Sequence, residues 1–541
     1  MEMILYNGSI HTMCGEGDVV EAVYIKDNKI FETGTDYDIL KFRSKDAEVI
    51  DLNGRCVVPG FNDSHLHILN FSCFLNLIDL SQAKSIDDIV NISKEFIKSH
   101  DIKPSEWVIG RGWNDEYFQD EQRILNKHDL DEISIEHPIV LARVCGHIAS
   151  LNSFAIQKLD VKPDMVINGG KIDLDENGDI IGVIRENALY ILGDLGKANA
   201  KGQIKDFLKQ GIAYANSKGL TSIQSDDISF QSGDFEDLFN AYKELEEENQ
   251  LTIRVYEQCL LLNKENLEEF IRRGYYTGKG TEFFKVGPLK ILLDGSLGAK
   301  TASLTYDYAD DPGNRGILCY TQEELDEMVS LAHKNNISVA IHGIGDNAMY
   351  TIFNSIKKAQ DEFHRDDARH GIVHSQITDE KLTNLFKEMD VLAIVQPIFL
   401  HYDLHIVESR IGTEKAKFTY NYKTMVDLGI HVSFGTDCPV EDLNPLACIY
   451  CAVTRKDLNG YPESGFNPEE RVSVYEAVYD YTVASAYASF EEKIKGKISK
   501  GMLADLVVLN EDIFKIHEDR IKDVIVDLTI VDGRIVYKRF K

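Results

Sequence analysis

Val-Val-Pro-Gly-Phe-Asn-Asp-Ser-His-Leu-His, from Val57 to His67, decides how this chain is read. The residues leading into it, Cys56-Val57-Val58, are apolar and β-branched, which predicts a buried strand. Side chains two apart on a strand point to one face, so His65 and His67 converge at the end of that strand. Imidazole is the commonest protein ligand for zinc-like metals. A bare His-x-His is weak, because short motifs match by accident. The Pro-Gly-Phe-x-Asp lead-in is what makes this one specific.

Further along, other apolar runs carry a metal-binding type of residue at or near their ends. Lys290 lies within Pro288-Leu289-Lys290-Ile291-Leu292, His342 follows Val339-Ala340-Ile341, and His374 follows Gly371-Ile372-Val373. Asp437 follows Val432-Ser433-Phe434-Gly435-Thr436. Amphipathic stretches, such as Thr321 to Asn335 and Asp379 to Met389, separate several of these runs. The alternation implies a parallel α/β sheet, either a barrel or a doubly wound sheet. In a barrel, catalytic residues sit at the C-terminal ends of strands, so these scattered positions can meet around one point. One such histidine alone reads as structural. Their recurrence at strand ends does not.

Lys290 has two readings. A charged lysine inside an apolar strand is costly, and an ammonium has no lone pair for a metal. It reads either as a strand-end ammonium paired with a carboxylate such as Asp294, or as a CO2-derived carbamate whose oxygens bridge two metal ions. The residues alone favour the first.

The two ends of the chain share a pattern. Val23 to Phe31 reads as strand, tight turn, strand, and Leu528 to Tyr537 repeats it around Asp532-Gly533, the stronger hairpin signal. Ala504 to Leu509 supplies another strand. Residues 1–57 and 486–541 are therefore expected to form one composite β-sandwich domain. Residues 58–485 are expected to form the barrel, with residues 104–192 as an insertion after its first strand.

The chain has 541 residues and a hydrophobic fraction of 43%, ordinary for a protein with a large core. A formal charge of −31 argues against nucleic acid or an anionic membrane as partner, since both would repel it. Nine cysteines, scattered without a disulfide-scaffold spacing, fit a cytoplasmic address. The start shows no signal-peptide pattern, and no apolar run has membrane-spanning length. Small-molecule substrate is the expected partner, and a homodimer the default assembly.

Other signals are discounted. Asp173 to Gly178 begins like a calcium loop, but its twelfth position is Ile184 instead of a glutamate, so a turn at Asn177-Gly178 is the better account. Cys448 and Cys451 lack a second pair and read as one face of a helix. Cys438 reads as a pocket wall or an occasional metal contact. Gly295 to Thr301 breaks the phosphate-loop pattern at Ala299.

Taken in order, the motifs resemble the amidohydrolase superfamily, within it the YtcJ-like branch (amidohydrolase family 3) that includes N-substituted formamide deformylases. The resemblance spans nearly the whole chain. It covers the run ending in His67, Arg111-Gly112-Trp113-Asn114-Asp115-Glu116, Arg143 through Gly146-His147 to Asn152-Ser153, and Lys290 through Asp294 to Gly298. It continues through Ile341-His342-Gly343-Ile344-Gly345-Asp346, Val373-His374-Ser375-Gln376, Gly435 to Val440, and Lys500 to Val508.

The resemblance implies a (β/α)8 TIM-type barrel and a divalent metal centre, zinc being the expected ion, with one or two ions bound. His65 and His67 would hold the first ion with Asp437, His342 and His374 the second, and a carboxylated Lys290 would bridge them. It implies hydrolysis of an amide-type C–N bond of the N-acyl or N-formyl amine class, with Asp437 as general base. A cyclic amidase or aminohydrolase (deaminase) is the alternative, and a non-catalytic ligand-binding barrel the second. Trp113, Arg143, His147 and Asp294 are the candidate substrate-binding residues.

Overall fold

The computed structural model describes residues 2–115, 118–143, 148–167, 170–193, 195, 201–230 and 234–539. It divides into two compact units, one of Met1–Leu69, Ile204–Ser229 and Asp234–Lys541, the other of Asn70–Gln203 and Phe230–Gly233.

The first unit contains an eight-stranded parallel sheet. Its strands are β1 (Phe61–Leu66), β2 (Leu220–Ser225), β3 (Arg254–Leu260), β4 (Phe284–Leu292), β5 (Val339–Gly343), β6 (Gly371–His374), β7 (Leu392–Val395) and β8 (Val432–Phe434). They pair in chain order from β1 to β8. Every residue of β1 and of β3 is buried, as expected of strands covered on both faces.

The seam between β8 and β1 is joined by specific bonds just beyond the strand ends. Asp437 N–H donates to His65 O and His67 N–H to Cys438 O, both at 2.8 Å. Asp63, fully buried, accepts from the Thr436 amide at 3.1 Å and from its hydroxyl at 2.8 Å. The sheet is thus a nearly closed α/β barrel of the TIM type, and the closing bonds run through the residues that flank the candidate centre.

The expected helices form with explicit caps. Helix α1 (Gln322–Lys334) starts at Thr321, whose hydroxyl accepts from Glu324 N–H while the Glu324 carboxylate reaches back to Thr321 N–H. Its buried Leu325, Met328, Val329 and Ala332 fall at helical spacing and face the strands. Helix α2 (Glu380–Glu388) is capped by Asp379 in the same region of the sequence that predicted it.

At the N-terminal ends of the strands, two buried histidines form a directed chain. Val339 N–H donates to His370 Nδ1 at 3.0 Å, so the His370 proton sits on Nε2 and is donated to His333 Nδ1 at 2.8 Å. His333 Nε2–H then donates to Phe363 O. Both rings are neutral, with every nitrogen engaged. Burial pushes His370 down to about 3 and lowers His333 as well.

Unfolded, each histidine takes up a proton near its ordinary 6.5. Folded, His370 refuses that proton until about 3, so stability falls as pH drops through this window. The expected loss from His370 is about 2–3 kcal/mol between pH 6.5 and 4.5. Urea midpoints measured across that range in wild type and in His370→Asn check this. Equal acid sensitivity in the two proteins would sink it.

Strands from both ends of the chain interleave in two further sheets. One holds Glu2–Tyr6, Ala22–Lys26, Lys29–Gly34 and Glu48–Asp51. The other holds Ser9–His11, Val19–Val20, Cys56–Pro59, Leu506–Leu509, Val526–Val531 and Arg534–Lys538. Leu5, Val23 and Ile25 of the first share one apolar cluster with Val57, Leu506 and Val508 of the second. The last hairpin turns at Asp532 and Gly533, with φ of 55° and 74°, the two left-handed positions of a type I′ turn.

The second unit is built on a six-stranded mixed sheet that includes Val108–Trp113, Ile139–Arg143, Gly170–Leu174 and Ile180–Glu186. The last two are antiparallel around Asn177-Gly178, with Gly178 at φ 85°, so this segment is a hairpin turn. Cys448 and Cys451 lie fully buried on helix α3 (Pro445–Thr454), in agreement with a structural role. Among the described residues, no helix is long and apolar enough to cross a membrane.

Candidate metal centre

His65 near the end of β1, His67 just past it, Lys290 in β4, His342 in β5, His374 in β6 and Asp437 after β8 all face the C-terminal mouth of the barrel. His65 and Lys290 are each 1% exposed, and His374 and Asp437 little more. His67 Nε2 lies 3.1 Å and His65 Nε2 3.4 Å from Asp437 Oδ1. Ligand atoms of His65, His67 and Asp437 all fall within 4.8 Å of one another. The His342 and His374 rings pack edge to face at 4.3 Å, and the His65 and His374 rings at 5.8 Å.

The partners of each ring decide which nitrogen can bind a cation. Gln258 Nε2 donates to Ser64 O at 3.0 Å, which turns its Oε1 toward His65 Nδ1 at 2.8 Å. His65 therefore carries its proton on Nδ1 and presents Nε2 to the centre. Gln396 does the same for His374: its Nε2 donates to Ile394 O, and its Oε1 accepts from His374 Nδ1 at 2.7 Å. His67 Nδ1 donates to the Asp226 carbonyl at 2.7 Å, leaving Nε2 toward Asp437.

His342 is the reverse. Its Nε2 donates to Gly295 O at 3.1 Å, so Nδ1 carries the lone pair. An outer partner that fixes the tautomer is the usual companion of a metal-ligating histidine. Three rings presenting Nε2 and one presenting Nδ1 is a donor set that fits divalent metals of the zinc type.

Electrostatics agree with that fit. Burial pushes the Asp437 carboxyl up, but the hydrogen bond from His67 and the charges of His65, His374 and His67 hold it well below the usual carboxylate range. Burial lowers His65 and His342 strongly and brings His374 down to about 4. His67 goes the other way: burial is outweighed by Asp437, which raises it. His67 Nδ1 is bound to the Asp226 carbonyl, and its Nε2 faces Asp437. His374 and Asp437 have φ of +77° and +56°, a strained backbone for these residue types and one that clusters at functional sites.

Lys290 points its side chain among His65 and Asp226. Its Nζ contacts His65 Nε2 at 3.1 Å and Asp226 Oδ2 at 3.6 Å, and burial lowers its pKa. The carboxylate expected beside it, Asp294, is committed elsewhere. It accepts from the amides of Ser303 at 2.9 Å, Gly345 at 2.8 Å and Ile344 at 3.1 Å, tying the loop after β4 to the end of β5. Asp226, which follows β2, takes the place predicted for Asp294.

The remaining candidate pocket residues divide. Trp113 is fully buried in the core of the second unit and donates its indole N–H to Leu141 O at 3.1 Å. Arg143 Nε pairs with Asp115 and its Nη2 with Asn114, both at 2.7 Å. His147 lies outside the described residues. Sequence reading missed Gln258, Gln396, Asp226 and Asp63. Gln396 and Asp226 directly follow β7 and β2, so the same strand-end rule that found the histidines applies to them.

Comparison with known proteins agrees with this architecture. The model of the amidohydrolase family matches residues 48–537. The chain is 33% identical to the putative amidohydrolase YtcJ of Bacillus subtilis over the full length of both. It is 22% identical to the N-substituted formamide deformylase of Arthrobacter pascens, covering 99% of this chain and 98% of that one. A solved metal-dependent hydrolase from Pyrococcus furiosus superposes with a TM-score of 0.78 at 28% identity, over 95% of this chain and all of that one. A match over nine-tenths of the sequence, together with full-length identity to YtcJ, places this chain in the amidohydrolase family.

Proposed function

We propose that this protein is a metal-dependent hydrolase of amide-type C–N bonds, with N-formyl and N-acyl amines as its leading substrate class. The observation that carries the reading is the set of four histidines whose outer partners already select one metal-facing nitrogen each, gathered around Asp437 and Lys290. In it His65, His67 and Asp437 would hold one divalent ion, and His342 and His374 would hold a second. Lys290, if carboxylated, would offer its carbamate oxygens to the same centre. Zinc suits this mixture of imidazole and carboxylate. When bound, such ions lower the pKa of a water to about 7 and polarise a substrate carbonyl.

The protein residues have separate tasks. Asp437 takes the proton of the attacking water on its carboxylate and delivers it to the leaving nitrogen as the C–N bond breaks. Gln258 and Gln396 hold the His65 and His374 rings in one tautomer, so no proton is lost to them. Asp294 anchors the loop that leads into the mouth. The relative known as an N-substituted formamide deformylase supports the substrate class.

The test is a screen of metal-loaded protein against N-formyl amines, N-acyl amino acids, hydantoin-like rings and aminopurines, with metal analysis of the same sample. Turnover of the first two classes, abolished by chelator and restored by a divalent ion, is the expected result. Turnover confined to the rings or purines would move the assignment to a cyclic amidase or deaminase. Stoichiometric metal without any hydrolysis would leave a ligand-binding barrel. A crystal showing two metals beside an unmodified Lys290 would remove the carbamate bridge.

A further inference from the structure

Ser9, His11 and Cys56 share one face of the six-stranded sheet built from both ends of the chain. Ser9 pairs with Cys56 and Ile10 with Val57 across parallel strands, and Cys56 pairs with Leu509 on its other side. Ile10, Val57 and Val508 belong to the apolar cluster, so the strand period of two turns Ser9, His11 and Cys56 the opposite way. The chain leaving Leu509 brings Asp512 to that face. Ligand atoms of His11, Cys56 and Asp512 lie within 4.8 Å of one another, the same closeness that marks His65, His67 and Asp437. We propose that these three side chains form a second metal site, for one zinc-type ion, separate from the centre at the barrel mouth.

The ring and the carboxylate are held in place for it. His11 stacks on Phe514 with centroids 3.8 Å apart, and its Nε2 lies 3.1 Å from Asp512 Oδ1. That oxygen also accepts from the Phe514 amide at 3.1 Å. Tetrahedral zinc, with bonds of about 2.0–2.3 Å, sets its ligand atoms roughly 3.3–3.8 Å apart. The three side chains therefore close on an ion by small shifts, and the ion needs no cavity of its own. Ser9 Oγ, 3.4 Å from His11 Nε2, or a water completes the four ligands.

The chemistry selects the ion. Cys56 is fully buried and His11 nearly so. Burial raises the Asp512 carboxyl, but bonds from His11, Lys515 and Ser9 hold it well below the usual carboxylate range, so it stands as an anion. Burial and the Asp512 charge push the Cys56 thiol well up, so it keeps its proton until a cation arrives. Binding releases that proton to water and leaves the His11 proton on Nδ1, so thiolate, imidazole and carboxylate surround the ion. A thiolate favours zinc over magnesium or calcium, which take oxygen ligands.

The site attracts a cation even without a metal. Lys515 Nζ lies 2.7 Å from Asp512 Oδ2 and 3.1 Å from Ser9 Oγ. The lysine side chain is 69% exposed, so it can withdraw into water as an ion enters. Bound there, the ion clips strands from the start of the chain to the segment that follows Leu509.

Cobalt(II) reads this site apart from the catalytic centre, because a cobalt–thiolate bond gives a near-ultraviolet charge-transfer band that imidazole and carboxylate ligands do not. Full-length protein exchanged from zinc to Co2+ should show that band. Cys56→Ser should lose it and hold one ion fewer per chain, whereas Cys438→Ser, changed beside Asp437, should keep it. In Co2+ titrations Lys515→Gln should bind roughly tenfold more tightly, the effect of removing one nearby positive charge. A lysine that only supports the fold would give no such gain. No band in the wild type, an undiminished band in Cys56→Ser, its loss in Cys438→Ser, or unchanged or weaker binding by Lys515→Gln would each overturn the proposal. Should Cys56→Ser not fold, His11→Gln reads the same site, and an unaltered band there would overturn it too.

Discussion

Replacing Asp437 with asparagine is expected to lower kcat for an N-formyl or N-acyl amine by about 1,000-fold or more, the upper part of the range for losing a general base. The change keeps the shape of the side chain and removes only its ability to carry a proton. Asp437 is suited to that task by position. Its carboxylate is nearly buried, lies 3.1 Å from His67, and rests on a backbone bond from its own amide to His65 O at 2.8 Å. Because that backbone bond survives the substitution, circular dichroism and the urea midpoint should stay close to wild type. Metal content should fall less than activity does, since His65 and His67 remain. A variant within tenfold of the wild-type kcat would show that the proton travels through another residue.

The barrel, and the side chains gathered at its mouth, were legible because their signal is local and repeated. An apolar run followed by His or Asp recurs at His65, His374 and Asp437, and the helices between the runs carry their own caps. What stayed hidden depends on pairings far apart in the chain. Lys290 finds Asp226 instead of the nearby Asp294, since Asp294 is consumed by three backbone amides that only the folded loop brings together. Gln258 sits inside β3 as one polar residue of a fully buried strand, and nothing in its neighbourhood announces that it orients His65. The six-stranded sheet of the second unit was visible only as a break in the rhythm. Its strands are irregular in register and mixed in direction, which leaves no clean period to read.

Arg254→Leu is expected to destabilise the folded chain by about 3–5 kcal/mol, the cost of stranding a buried charge by removing its partner. Arg254 begins β3 and is 2% exposed. Its Nε donates to Asp505 Oδ2 at 2.7 Å and its Nη2 to Asp532 Oδ1 at 3.0 Å. Nη1 donates to Glu282 O at 3.2 Å, and the guanidinium lies over the Phe283 ring at 4.6 Å. Asp505 precedes the strand Leu506–Leu509, and Asp532 sits in the terminal hairpin turn, so one side chain ties the barrel to the C-terminal strands. Asp505 also accepts from the Asp532 amide at 2.8 Å, and without Arg254 that contact alone cannot offset its burial. Arg254→Lys should recover only part of the loss, because an ammonium cannot reach both carboxylates and the Glu282 carbonyl in the same planar fork. The double variant Arg254→Leu, Asp505→Leu should regain most of it, since apolar pairs often replace buried ion pairs at little cost. Urea midpoints of the three variants decide the matter. If the double variant proves as unstable as Arg254→Leu alone, the loss reflects packing in β3, and the stranded charge is not its cause.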